Sequence, residues 1–347
     1  MRIAFLLLLV PLATACAPAP APTVATPASG PAAYFDQSGR DDVLSGGVRL
    51  IEIATPKGAF HVWTKRIGNN PRLKVLILHG GPGFTHEAYE AFDSYFPAAG
   101  IEYYYYDQLG SAFSDQPHDA ALWNLDRFVD ELEQVRTALK LDRDNFVLYG
   151  HSWGGLLAME YALRHQDHLK GLVISNMMSS IPAYNRYAKD VLMPQLDPAV
   201  LQELLAIEAR KDYGNPRYES LLMSNFYTQH ILRMPPEQWP DPVLRALNHL
   251  NREVYLPMQG PSEMGASGLL EKWDRSARLE DIHVPTLVIG ARYDTMDPAH
   301  MEWMSKQIPG ARYLYCANGS HFALYDDQKT YVDGLIGFLK DLEAGKP

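Results

Sequence analysis

The 347 residues are 47% apolar and 21% charged, a composition that buries one large core with an insertion and excludes a disordered or fibrous chain. Acidic residues outnumber basic ones, 41 to 31, for a formal net charge of −10. The basic residues gather into no run that would neutralise a phosphate backbone, so nucleic acid is not the expected partner.

The chain opens MRIAFLLLLVPLATACAPAPAPTVATPASGPA. Arg2 precedes an apolar stretch from Ile3 to about Ala15, shorter than the roughly 20 residues that span a bilayer. A positive start, a short apolar core and small residues before a cut are the order of a secretory signal peptide, expected over residues 1–15. Ala13-Thr14-Ala15-Cys16 resembles a bacterial lipobox, with Ala13 where Leu is commonest. That resemblance implies acylation of Cys16, a membrane anchor, and a place in the bacterial cell envelope at the periplasmic face of the outer membrane. The alternative is an ordinary signal cut near Ala15 with an incidental cysteine. Residues 16–33, rich in Ala, Pro and Thr, cannot pack a core and read as an extended tether. Beyond Cys16 only Cys316 remains of the two cysteines, so no internal disulfide is expected and Cys316 reads as a small buried apolar residue.

VRLIEIATPKGAFHVWTKRI, from Val48 to Ile67, alternates as two strands around a turn at Pro56-Lys57-Gly58. KVLILHGGPG, IEYYYYDQLG, NFVLYGHS, LKGLVISN, PTLVIGARYD and ARYLYCANGSH are short apolar runs that mostly end in Gly, Asp, Asn or Ser. LDRFVDELEQVRTALKL and GGLLAMEYALRH between them carry a helical period. The alternation predicts an α/β fold, a mostly parallel sheet covered by helices on both faces. Residues 178–272, rich in Leu, Met, Tyr, Pro and Asn, break the rhythm with a helical pattern and no strand-like run. They are expected to form a helical cap inserted between core segments 34–177 and 273–347.

Gly150-His151-Ser152-Trp153-Gly154 matches G-x-S-x-G in the setting that motif requires, a strand followed at once by a helix, where a tight turn presents the serine hydroxyl. Ser152 is the candidate nucleophile; the bland alternative is a serine that merely caps the helix. A nucleophilic serine needs a histidine to take its proton and a carboxylate to hold that histidine's tautomer. Asp294 after PTLVIGARY and His321 after ARYLYCANGS fit in order and strand-end position. Asp297 is the rival acid, but it precedes Pro298 and equally suits a helix cap. Two fixed N–H groups should stabilise the oxyanion: Trp153, next after the nucleophile, and Gly81 in HGGPG, with Gly80 close behind. His79, His151, His86, His230, His283 and His300 read as structural or solvated, the last four with no acid at metal-ligand spacing. Neither metal nor cofactor is expected.

LHGGPG, YYDQLGSAFSDQP, GHSWGG, NPRY…FYTQHILR…WP, VYLPMQGPSE, WDR and NGSH together resemble the proline iminopeptidase family of α/β-hydrolases, from about Asp36 to the C-terminus. Within that family the motifs resemble those of bacterial L-amino-acid amidases and the tricorn-associated aminopeptidase. The resemblance implies an α/β-hydrolase fold and release of an N-terminal residue, often proline, from short peptides, amides or arylamides through an acyl-enzyme. It also implies that Glu263, in GPSE, binds the substrate's free α-ammonium and that Tyr255 lines the same pocket. Two departures stand out: Thr295 follows Asp294 where relatives can carry a second glutamate, and Ala112 replaces the second glycine of DQxGxGxS. A carboxylesterase or lactonase would use the same triad without an ammonium-binding carboxylate.

Overall fold

The computed structural model describes residues 30–346. The expected signal peptide, Cys16 and most of the tether lie outside the described residues. Strands β1 (Val48–Thr55) and β2 (Gly58–Ile67) form an antiparallel hairpin in which Thr55 pairs with Gly58 across Pro56-Lys57. β3 (Lys74–Leu78), β4 (Glu102–Asp107), β5 (Phe146–His151), β6 (Gly171–Ser175), β7 (Thr286–Ala291) and β8 (Arg312–Cys316) follow. The sheet runs β1-β2-β4-β3-β5-β6-β7-β8, antiparallel through β2–β4 and parallel from β4 to β8.

Successive residues of a strand face opposite sides of a sheet, and here both sides are apolar. Val75, Ile77, Val147 and Tyr149 enter one core cluster, Leu76, Leu78, Phe146 and Leu148 the other. This is why these strands read as unbroken apolar runs. In β4 the four tyrosines are all buried, and their hydroxyls are satisfied: Tyr103 and Tyr105 donate to Asp93 at 2.5 and 2.7 Å, Tyr104 to Glu102 at 2.6 Å, and Tyr106 to Glu131. α-Helices of seven or more residues are numbered in order: α1 (Leu125–Ala138) and α2 (Trp153–His165) cover one face, while the C-terminal α9 (Gln328–Glu343) covers the other.

Between β6 and β7 lie α3 (Ile181–Tyr187), α4 (Pro198–Ala209), α5 (Pro216–Leu222), α6 (Asp241–Asn248) and α7 (Arg252–Met258). Asp197 and Asn215 each stand before a proline and accept the first helical N–H groups of α4 and α5; a capping oxygen followed by a preset φ is a strong start signal. The cap has its own apolar cluster around Leu204, Ile207, Leu221 and Phe226. Its two ends meet at a neck, where Ile181 N–H donates to Trp273 O at 2.9 Å and Arg275 N–H to Ser179 O at 2.8 Å. Its outer edge is latched to the core by Arg245 and His249, both 2.7 Å from the buried Glu87. α8 (Pro298–Gln307) follows β7.

Candidate active site

β5 ends at His151 and α2 begins at Trp153, leaving Ser152 on the junction with φ 55° and ψ −127°. That left-handed backbone costs an L-residue of order 1–3 kcal/mol and persists only where the surroundings impose it. Here they do. Ser152 N–H donates to Ser175 O at 3.0 Å. A Cβ on Gly150 would strike the Gly154 carbonyl, and one on Gly154 would strike that of Leu78, so both framing glycines are steric requirements. Ser152 stands at the N-cap of α2, but its side chain makes no capping hydrogen bond. Its hydroxyl lines a cavity of about 180 Å³ together with Gly80, Gly81 and His321.

His321, from the loop after β8, directs Nδ1 to Asp294 Oδ1 at 2.7 Å. Because the carboxylate can only accept, Nδ1 carries the hydrogen and Nε2 keeps the lone pair that a general base needs. Asp294 is fully buried and held by Met296 N–H at 3.0 Å and Asn176 Nδ2 at 2.7 Å. Burial disfavours a charged His321, but the charge and hydrogen bond of Asp294 outweigh it and, with Glu263 adding, hold the His321 pKa above its ordinary value. Asp297 instead caps α8 through Ala299 N–H at 2.9 Å. Thr295 is buried with its hydroxyl 3.3 Å from Asp294 Oδ1, so it buttresses the dyad. Sequence reasoning missed Asn176, whose φ of 52° at a strand end is the one local signal it offers, since asparagine tolerates that backbone.

The glycine loop separates the two oxyanion candidates. Gly80 N–H is already spent on Tyr89 Oη at 3.1 Å. The carbonyl of Gly80 accepts from His79 Nδ1 at 2.9 Å, and Gln108 N–H donates to His79 Nε2 at 3.1 Å, fixing that tautomer. In a planar trans peptide the N–H lies opposite the C=O, so anchoring the Gly80 carbonyl turns Gly81 N–H the other way. Neither Gly81 nor Trp153 N–H makes a hydrogen bond to a described residue. Gln108 Oε1 also accepts from the Trp153 indole at 2.9 Å, tying the DQLG loop to the elbow. Ala112 in that loop adopts φ 35°, the left-handed conformation that suits the glycine it replaces.

The cap supplies the far wall. Tyr255 Oη donates to Glu263 Oε1 at 2.6 Å, and both residues line the cavity, whose apolar walls include Phe84, Leu222, Ile231 and Phe322. No Lys or Arg among the described residues forms an ion pair with Glu263. Burial raises its pKa, opposed by His321 and Tyr255. Glu219 and Arg252 also reach the cavity. Elsewhere, His86 is structural: Asp107, distant in sequence, accepts from its Nδ1 at 2.8 Å in a buried pair. Glu133, His165 and His168 bring ligand atoms within 4.8 Å of one another, but Arg136 and Tyr161 already occupy the Glu133 carboxylate.

Residues 74–328 match the family model described as alpha/beta hydrolase fold. The chain is 58% identical over 297 residues to a proline iminopeptidase of Elizabethkingia meningoseptica, covering 85% of this chain and 99% of that one. It is 55% identical over 293 residues to a proline iminopeptidase of Chitinophaga pinensis, covering 84% and 98%. The crystal structure of the Mycobacterium smegmatis proline iminopeptidase superposes with a TM-score of 0.74 at 28% identity, over 85% of this chain and 99% of that one.

Proposed function

The chain belongs to the proline iminopeptidase family of α/β-hydrolases and is a serine aminopeptidase, and from that premise we propose that Ser152, His321 and Asp294 release the N-terminal residue, proline among them, from short peptides, amides and arylamides. His321 Nε2 takes the Ser152 proton as Oγ attacks the carbonyl carbon. Gly81 and Trp153 N–H groups hold the oxyanion; His321 then protonates the departing amine, and water hydrolyses the acyl-enzyme along the reverse proton path. Among the described residues His321 makes side-chain hydrogen bonds to Asp294 and Thr295 and none to Ser152; in such sites the nucleophile–base contact forms in the substrate complex. No cofactor enters the scheme.

One observation carries the substrate reading: Glu263 presents a half-buried carboxylate, held by Tyr255 but without a Lys or Arg partner, in the cavity that holds Ser152. A half-buried charge of this kind is costly unless paired, and the ammonium of a free N-terminus supplies the pair at the distance of one residue from the scissile carbonyl. Tyr255 orients the carboxylate. Profiling aminoacyl arylamides against their N-acylated forms tests this, since only the free amines should turn over well.

The same proposal takes residues 178–272 as the cap between core segments 34–177 and 273–347. It also takes residues 1–15 as a signal peptide and Cys16 as an acylated anchor joined through 16–33, in the bacterial cell envelope. The support for the anchor is the lipobox-like sequence and the Ala/Pro-rich stretch behind it.

A further inference from the structure

We infer that Tyr89 and His151, neither of which touches the reacting atoms in the scheme above, are positioning residues for acyl transfer, forming a proton-ordered strut from the oxyanion loop to the backbone of His321. The inference rests on the Ser152 reading and adds to it.

The strut has three contacts. Gly80 N–H donates to Tyr89 Oη at 3.1 Å, Tyr89 Oη lies 3.0 Å from His151 Nδ1, and His151 Nε2 lies 2.8 Å from His321 O. The two ends, with burial keeping the His151 ring uncharged, set every hydrogen between them. A backbone N–H can only donate, so Tyr89 Oη accepts there and its own hydrogen goes to His151 Nδ1. A carbonyl can only accept, so His151 Nε2 carries the ring hydrogen and donates to His321 O. The neutral ring is therefore held in one tautomer. Tyr89 and His151 are 0% and 2% exposed, so no solvent competes for these groups. Burial, with the nearby His321 adding and Asp294 opposing, pushes the His151 pKa down to about 3.

What the strut holds is the most mobile kind of residue beside the nucleophile. Gly80 has no Cβ to restrict its φ and ψ. Its N–H belongs to one peptide plane and its C=O to the next. Tyr89 pins the first plane and His79 the second, which fixes where Gly81 N–H points. At the other end the carbonyl of His321 is tied to the residue immediately before Ser152, while His321 N–H donates to His230 O at 2.9 Å. The His151 ring also stacks on Phe322 with centroids 5.1 Å apart. Nucleophile, oxyanion loop and base are thus referred to one imidazole.

Tyr89→Phe removes one oxygen and leaves two buried polar groups without a partner. Its kcat should fall on the order of 10–100-fold, short of the roughly 10²–10³ for losing an oxyanion donor itself, with KM within about twofold. Affinity for an α-aminoboronic acid, whose serine adduct mimics the tetrahedral oxyanion, should fall by the same factor as kcat/KM, and affinity for the product amino acid should not change. Equal weakening of both ligands would mean a merely structural role, and wild-type kcat in Tyr89→Phe would overturn the strut. Nitrogen NMR of the unmodified protein gives a reading independent of any variant: His151 should be neutral with hydrogen on Nε2 at neutral pH, and an Nδ1-protonated or charged ring overturns the inference. Ser152→Ala separates the two levels of the argument. If it retains turnover the underlying reading fails; if it is dead while Tyr89→Phe is normal, the strut alone fails.

Discussion

Replacing Glu263 with glutamine keeps the shape of the side chain and removes its charge. In the resting structure the carboxylate accepts from Tyr255 at 2.6 Å and has no ion-pair partner among the described Lys and Arg residues. With substrate bound, an ammonium about 4 Å away in surroundings of effective dielectric about 20 gains about 4 kcal/mol from the charge. A glutamine oxygen retains part of this as a neutral hydrogen bond, so the loss is set at about 2 kcal/mol, or roughly 30-fold in kcat/KM. The protein itself should not suffer. Burial raises the Glu263 pKa above its unfolded value, so ionisation works against the folded state as pH rises past the ordinary glutamate range. Glu263→Gln at neutral pH should therefore leave Tm unchanged or higher. The assay compares a free-amine arylamide with a simple aryl ester, and the ester should lose less than about twofold. Equal loss on both substrates, or a lowered Tm, would mean that Glu263 supports the cap and does not read the N-terminus.

The acid limb of kcat/KM should lie above the ordinary histidine pKa of 6.5, because Asp294 holds His321 protonated to higher pH and only the neutral ring accepts a proton. Asp294→Asn should cut kcat by roughly 10²–10⁴ and move that limb to lower pH; an unmoved limb in the pH–rate profile would show that another group titrates. Gly154→Ala should lower thermal stability by at least about 2 kcal/mol, since its Cβ meets the Leu78 carbonyl and a packed junction does not yield cheaply; a wild-type melting curve would contradict the elbow geometry. Cys16→Ser should move the protein from the membrane fraction to the soluble one, since the thiol is the group acylated, and an unmutated protein already wholly soluble would contradict the anchor.

The sheet was legible because both faces of β3 to β7 are buried, which writes them as short apolar runs, and the cap because the chain between β6 and β7 carries a helical pattern with no strand-like run. The elbow was legible because a strand, a serine between two glycines and a helix leave one stereochemical solution. Long-range pairings were not legible. Tyr89 and His151 are 62 positions apart, Glu87 and His249 are 162 apart, and Asn176 and Asp294 are 118 apart. None of these residues carries a local pattern that differs from that of a core aromatic, a surface charge or a turn. The sequence puts Gly81 only narrowly before Gly80, because the difference turns on which N–H the Tyr89 hydroxyl consumes.

Trapping the acyl-enzyme tests the central claim most directly. A free-amine aminoacyl aryl ester, acid-quenched before the first turnover completes and digested for mass spectrometry, should leave one aminoacyl group per chain on the peptide bearing Ser152. The Ser152→Ala protein, with an unchanged melting curve, should show no adduct and no arylamide turnover. An adduct on another residue, or turnover persisting in Ser152→Ala, would contradict the account.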